Sequence, residues 1–366
     1  MVADCIILGG GVIGLMTALE LRKVGAKVLV IDRGEFGCES SWAGGGLLYP
    51  LHPWDYSDPI NLLAKESQTI YPKLVNELQQ TTGIDSELLC NGILLLGIND
   101  FTPALSWAEK YNYKCHQICT SEIRSIAPGI SEKIAKDALY LPKIMQVRNP
   151  RLMRALIQYI EQVCSKQIEL RSMTEARCVN VANGRICGVE TANDKIECEN
   201  VVIACGAWSD LLLRDITNPV DIYPVRGQMI LYQRARFKSI PTIWNEDHYL
   251  IPRKDGHLLV GSTLENVGYD KSTTHEAKLE LKNAAERILP ELSETPIVKH
   301  WSGLRPACGR GAPLISKIAS VDGLYINSGH FRNGLLLAPA SARMLTDIIT
   351  GRPTSATADY FSAQSS

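Results

Sequence analysis

The feature that most constrains this chain stands at its beginning. Cys5–Leu8 is a short apolar run, followed at once by Gly9-Gly10-Gly11-Val12-Ile13-Gly14. Apolar residues then recur with helical spacing at Ile13, Leu15, Met16, Leu19 and Leu21 as far as Gly25, and a second apolar run, Lys27–Ile31, ends on Asp32. Strand, glycine turn, helix, strand and acid in that order make a dinucleotide-binding βαβ unit. Gly-x-Gly-x-x-Gly alone is a weak signal, but here its whole context is in place: the acid stands 18 positions after Gly14, near the ~20 expected. Gly9 permits the tight turn, Gly11 lets backbone approach phosphates, and Gly14 allows close helix–sheet packing. The turn at Val12 and Ile13 opens a helix whose dipole favours a pyrophosphate. Asp32 suits ribose hydroxyls and would repel the 2′-phosphate of NADP. The motif implies nucleotide binding without separating FAD from NAD.

After Asp32 the stretch Arg33–Gly46 carries five glycines and is placed to cover whatever the first turn binds. Apolar spacing predicts helices over 59–82, 151–163 and 276–289, with short strands at Val179–Val181, Cys187–Glu190 and Val201–Cys205. From Val220 the chain turns β-rich, with a hairpin signal at Lys254-Asp255-Gly256, a strand in VKHWSGLRP and another at Gly323–Ser328 before a final helix. The Pro/Ser/Thr-rich tail from Arg352 reads as loose. The fold class is α/β: a Rossmann-like nucleotide domain, visited several times, interleaved with a mixed β-sheet plus helix domain.

Composition narrows the function. Lys plus Arg total 38 against 39 for Asp plus Glu, a formal net charge of -1, so no basic excess exists to offset a nucleic-acid backbone. No apolar run approaches the ~20 residues of a membrane span. Asp4 and the glycine cluster stand where a signal peptide would want basic and then unbroken apolar residues. Eleven scattered cysteines, an odd number, read as reduced thiols, so a cytoplasmic protein is expected. Cys115, His116 and Cys119 have loosely zinc-like spacing but no second ligand pair, and no metal is expected. Three features invite a ligand. The helix begun by Arg332-Asn333-Gly334-Leu335 points its dipole at something negative, whether a reduced flavin or only its own cap. Tyr249 and Arg253 share one face of the HYLIPRK strand. Arg305 interrupts an apolar strand and needs a carboxylate, from the protein or from a ligand.

Taken in order, DCIILGGGVIGLMTALELRKVGAKVLVIDRG, ESSWAGGGLLYPL, VVIACGAWS, PVRGQMI, HYLIPRKDGHLLVGST, WSGLRPA and GHFRNGLLLAPA resemble the glycine oxidase branch of the D-amino-acid oxidase superfamily, from residue 4 to about 350. The last two motifs are far more specific than the opening turn. The resemblance implies an FAD-binding domain at 1–86, 141–216 and 306–366, with a substrate-binding domain at 87–140 and 217–305. It implies non-covalent FAD held by Gly9, Gly11, Val12, Ile13 and Gly14 at the pyrophosphate and by Asp32 and Arg33 at the ribose. Ser40, Ser41, Gly45, Gly46 and Leu47 would line phosphate and flavin. Ala176 would meet the adenine side, and His330, Phe331, Arg332, Asn333, Gly334, Leu335 and Leu336 would wrap the ring. Arg305 would bind the substrate carboxylate, Tyr249 would hydrogen-bond it, and Arg332 would meet the substrate through its backbone carbonyl or side chain. Tyr49 departs from relatives with glycine or serine there and is expected to narrow the entrance. Leu47 and Leu264 stand where some relatives have methionine, so a reshaped apolar pocket is expected. Cys308 lies near the site of covalent flavin attachment in some amine oxidases, but its flanking residues differ.

The activity implied is oxidation of glycine, sarcosine and small D-amino acids. The α-hydrogen leaves as hydride to flavin N5, the imine is hydrolysed, and molecular oxygen takes the electrons to give hydrogen peroxide. Glycine imine would feed the thiazole of thiamine. A homo-oligomer is expected, with neither a nucleic-acid partner nor a membrane span. The alternatives are a dehydrogenase passing electrons to quinone, an RNA-modifying FAD enzyme, which would want a basic surface, and a non-catalytic FAD module, which has no use for Tyr249 and Arg305 together.

Overall fold

A computed structural model describes residues 3–363 apart from 135 and 234–239. The opening unit forms as its pattern predicts: a fully buried strand Cys5–Leu8, a helix Val12–Lys23, and a fully buried strand Val28–Ile31. Arg22 and Lys23 sit in the last helical turn, where the dipole favours cations, and Gly25 turns the chain at φ +91. These two strands are central in a six-stranded sheet, ordered Leu314–Lys317, Leu324–Ser328, Val201–Ile203, Cys5–Leu8, Val28–Ile31, Ile168–Arg171. All neighbours are parallel except the first pair. A parallel sheet needs cover on both faces, which explains strands that are apolar throughout rather than alternating. One face carries Val12–Lys23, the 25-residue helix Asp58–Thr82, the helix Asn149–Tyr159 and the last helix Gly334–Thr350, sharing one core. The other is covered by the three-stranded meander Ala176–Ala182, Arg185–Thr191 and Lys195–Glu197.

A second sheet of eight strands runs in the order Ile297–Cys308, Ile222–Tyr232, Leu258–Gly261, His248–Pro252, Thr242–Asn245, Ile93–Leu96, Ala138–Leu141, His116–Ile118. It is antiparallel except where Thr242–Asn245 lies parallel to Ile93–Leu96. Its two long strands pair from Ile222/Cys308 to Tyr232/Ile297, which places Arg305 opposite Val225 and Gly303 opposite Gly227. Helix His275–Ile288 packs on the far face, capped by the Thr274 hydroxyl accepting from Ala277 N. The near face looks toward the glycine turn of the first sheet.

One expectation changes. The tail is docked, not loose: Ala358–Phe361 is a helical turn, Phe361 is fully buried in the first core, and Arg310 donates to the Tyr360 and Ser362 carbonyls. One large aromatic is enough to hold an otherwise polar segment. The zinc-like cysteines have another role: Cys119 caps helix Thr120–Ile126, its N–H donating to Glu122 at 2.9 Å, while Cys115 packs in the apolar cluster that includes Tyr49.

Candidate active site

A long cleft runs between the sheets from the Gly9 turn to Tyr249 and Arg305. At its nucleotide end the turn is built from close approaches. A Cβ on Gly9 would fall 2.3 Å from the Ala204 carbonyl oxygen, and one on Gly14 1.9 Å from that of Gly9. Gly14 therefore serves packing and stands behind the cleft wall rather than in it. Asp32 accepts from Gly10 N at 2.7 Å and Gly34 N at 2.9 Å, and burial raises its pKa against the pull of those bonds. The Ser41 hydroxyl accepts from Val12 N at 2.9 Å, closing the first turn of the helix. Ser40 donates to the Leu304 carbonyl and Trp301 Nε1 to that of Ala43 at 3.0 Å, so the 40–43 turn is tied to the second sheet. Arg33 lies over Trp208, 4.1 Å from the ring centre, and Ala176 lines the same end with Thr174 and Leu212.

The middle is walled by Gly44, Gly45, Gly46 and Leu47 on one side and by His330–Leu335 on the other. Gly46, at φ +82, has Val147 O where a Cβ would stand, and Gly45 packs on Ile251 and Tyr249. His330 is 3% exposed, its Nε2 lacks a hydrogen-bond partner among the described residues, and burial lowers its pKa to about 3. Leu336 turns away into the core.

At the far end Arg305 extends over Gly227, where a Cβ would fall 2.1–2.3 Å from the guanidinium. Its Nη1 donates to Thr263 O at 3.1 Å and its Nη2 to Ser262 Oγ at 2.7 Å. Among the described residues no carboxylate pairs with it. Burial lowers its pKa and Arg332 adds to the fall, while the Tyr249 hydroxyl opposes it. Tyr249 fits because Gly261 leaves room, a Cβ there falling 2.8 Å from the hydroxyl. Arg332 is exposed at the rim over Phe331, and Asp247 faces the same opening. Tyr49 is not a rim residue: it is 2% exposed, edge-on to Trp107, and forms the apolar wall with Leu47 and Leu51. Leu264 is 56% exposed and lies outside the cleft, beside a separate hollow with Cys308. Residues that sequence reasoning missed include Gly10, packed on Phe36, and Gly227, Met229, Ile251 and Asn149 in the walls. Gly227 and Met229 left a trace in PVRGQMI, and Ile251 in HYLIPRK.

A glycine turn opening a helix, a buried acid, a glycine wall with no Cβ and a histidine nitrogen without a partner among the described residues follow one another along a cleft that spans both sheets. That arrangement fits FAD, whose ring would lie against the second sheet. The comparisons agree. The DAO family of FAD-dependent oxidoreductases matches residues 4–348. A glycine oxidase of Pseudomonas aeruginosa is 42% identical over 95% of this chain and 94% of its own. A bifunctional protein ThiO/ThiG of Trichormus variabilis is 30% identical over 95% of this chain and 53% of its own. The crystal structure of a glycine oxidase from Geobacillus kaustophilus superposes with a TM-score of 0.92 at 27% identity, covering 100% of this chain and 99% of that one. The chain is an FAD-dependent oxidoreductase of the DAO family.

Proposed function

We propose that this enzyme oxidises glycine, sarcosine and other small amines bearing a carboxylate, with molecular oxygen as acceptor. The observation that carries the reading is Arg305, a part-buried guanidinium at the cleft end that pairs with no carboxylate among the described residues. A cation so placed needs an anionic ligand. Its planar fork suits a carboxylate, which it can hold with two parallel, charge-assisted bonds. Tyr249 adds a hydroxyl, and the walls of part-buried Leu47 and buried Tyr49 and Met229 leave little room for a bulky side chain. Arg332 stands at the rim to meet the carboxylate on entry.

FAD held by the cleft walls would supply the hydride acceptor and the route of the electrons to oxygen. The protein orients the substrate's α-carbon through the carboxylate and keeps water away. This route requires no general base: burial lowers the His330 pKa to about 3 and so makes it a weak proton acceptor, and Asp32, Glu39 and Glu175 belong to the nucleotide end. Asp247 lies at the opening. We assign the residues of the cleft walls to FAD and Tyr249, Arg305, Arg332 and Tyr49 to the substrate. We likewise take 1–86, 141–216 and 306–366 as the FAD domain and the rest as the substrate domain. Resemblance to the ThiO/ThiG relative supports supply of glycine imine for the thiazole of thiamine. The same reading places the enzyme in the cytoplasm as a homo-oligomer. Peroxide formation from glycine, sarcosine, D-alanine and D-proline, with and without an artificial electron acceptor, tests it. Turnover with glycine and oxygen alone is expected. Faster turnover of D-phenylalanine, or activity only with the artificial acceptor, rejects it.

A further inference from the structure

Arg253 is a second buried cation beside the cleft. It is 6% exposed, stands just past the end of strand His248–Pro252, and pairs with no carboxylate among the described residues. The nearby acids are engaged elsewhere: Glu87 by Arg148 and Arg151, and Asp255 by Arg148. The guanidinium spends its donors on neutral oxygens, Gln146 Oε1 at 3.0 Å, Val147 O at 3.1 Å and Gly45 O at 2.7 Å. The last belongs to the glycine wall of the FAD cleft. Val147 completes the lock, its N–H donating to Gly46 O at 2.8 Å. Burial lowers the Arg253 pKa only to about 10, so the charge persists at neutral pH.

A buried ion without a counterion is costly unless something bound nearby is negative for part of the cycle. We propose that Arg253 is a positioning residue for the flavin, its fork holding the Gly44–Gly46 wall and its charge favouring the anionic form of the bound ring. The fork fixes the wall because one planar group reaches two chain segments at once, which an ammonium cannot do. The charge acts through a single backbone layer in a dry site, where it is weakly screened. This inference stands on FAD binding alone and does not depend on the identity of the amine.

The test uses holoenzyme and two probes other than turnover. FAD affinity is read from fluorescence released on dilution. Sulfite, whose sulfur lone pair forms a bond to flavin N5 and leaves the ring anionic, is titrated by absorbance. Arg253→Met should weaken FAD and sulfite each by about tenfold or more. Arg253→Lys keeps the charge and loses the fork, so FAD should loosen by several-fold while sulfite affinity stays within about threefold of the parent. If Arg253→Met yields no holoenzyme, the lysine variant decides. Unchanged FAD affinity in Arg253→Lys, or sulfite weakened beyond threefold there, overturns the proposal; so does an Arg253→Met protein that binds both as the parent does.

Discussion

Gly227→Ala adds one methyl group to the strand beneath Arg305. The new Cβ would lie 2.1 Å from Nη2, 2.2 Å from Nη1 and 2.3 Å from Cζ, the end of the side chain that matters. Ordinary contact needs about 3.5 Å, so the guanidinium must retreat by about 1.2–1.4 Å. It cannot do so and keep both Ser262 Oγ and Thr263 O. A misplacement of about 1 Å at a positioning group costs about 10²-fold, so kcat/KM for glycine should fall by roughly that factor, or about 2.7 kcal/mol. FAD content should hold, because the nucleotide end is untouched. The assay is peroxide release under varied glycine, with the flavin spectrum as control. In an Arg305→Ala background the methyl group has space, so there Gly227→Ala should cost little more. A Gly227→Ala enzyme within about threefold of the parent, or costs that simply add in the double variant, would refute the reasoning.

Tyr249→Phe removes a single neutral hydroxyl and should lower kcat/KM by about tenfold or less, since such a bond is worth ~0.5–1.5 kcal/mol; steady-state kinetics on glycine reads this. Phe361→Ala should cost about 3–5 kcal/mol in denaturant unfolding, because the ring is fully buried; a loss below about 1 kcal/mol would mean that the tail docks only weakly. His330 has a folded pKa of about 3 against an ordinary 6.5. The unfolded chain thus takes up a proton that the folded one refuses, and stability falls as pH drops below the ordinary value. His330→Asn should remove about 1.4 kcal/mol per pH unit from the acid slope of stability between about pH 6 and 4.

The opening unit was legible because its chemistry is local: strand, turn and helix lie within thirty-two residues, and each glycine is required by a neighbour close in sequence or by the sheet. Arg305 was legible as an oddity, a charge in an apolar strand, although nothing local showed whether its partner belonged to the protein. That answer came from the register with Ile222–Tyr232, which brings Gly227 beneath it and, among the described residues, pairs no acid with it. The parallel pairing of Thr242–Asn245 with Ile93–Leu96 joins segments about 150 residues apart and left no periodic trace. Tyr49 and Phe361 were misjudged for one reason: burial depends on what a distant segment brings to a side chain, whereas local composition reports only its neighbours in sequence. Arg253 shows the opposite limit. The strand ends one residue before it, at Pro252, yet it meets the same glycine wall as Tyr249, through a Gly45 carbonyl 208 positions away.

The central claim is that Arg305 receives the substrate carboxylate, and kcat/KM of Arg305→Ala holoenzyme for glycine tests it most directly. Truncating one partner of a desolvated charge pair costs about 2–5 kcal/mol, which predicts a loss of roughly 30- to several-thousand-fold with the flavin spectrum intact. Arg305→Lys should recover part of it, since an ammonium grips a carboxylate without the fork. A folded, yellow Arg305→Ala protein that turns over glycine at close to the parent kcat/KM would contradict the claim.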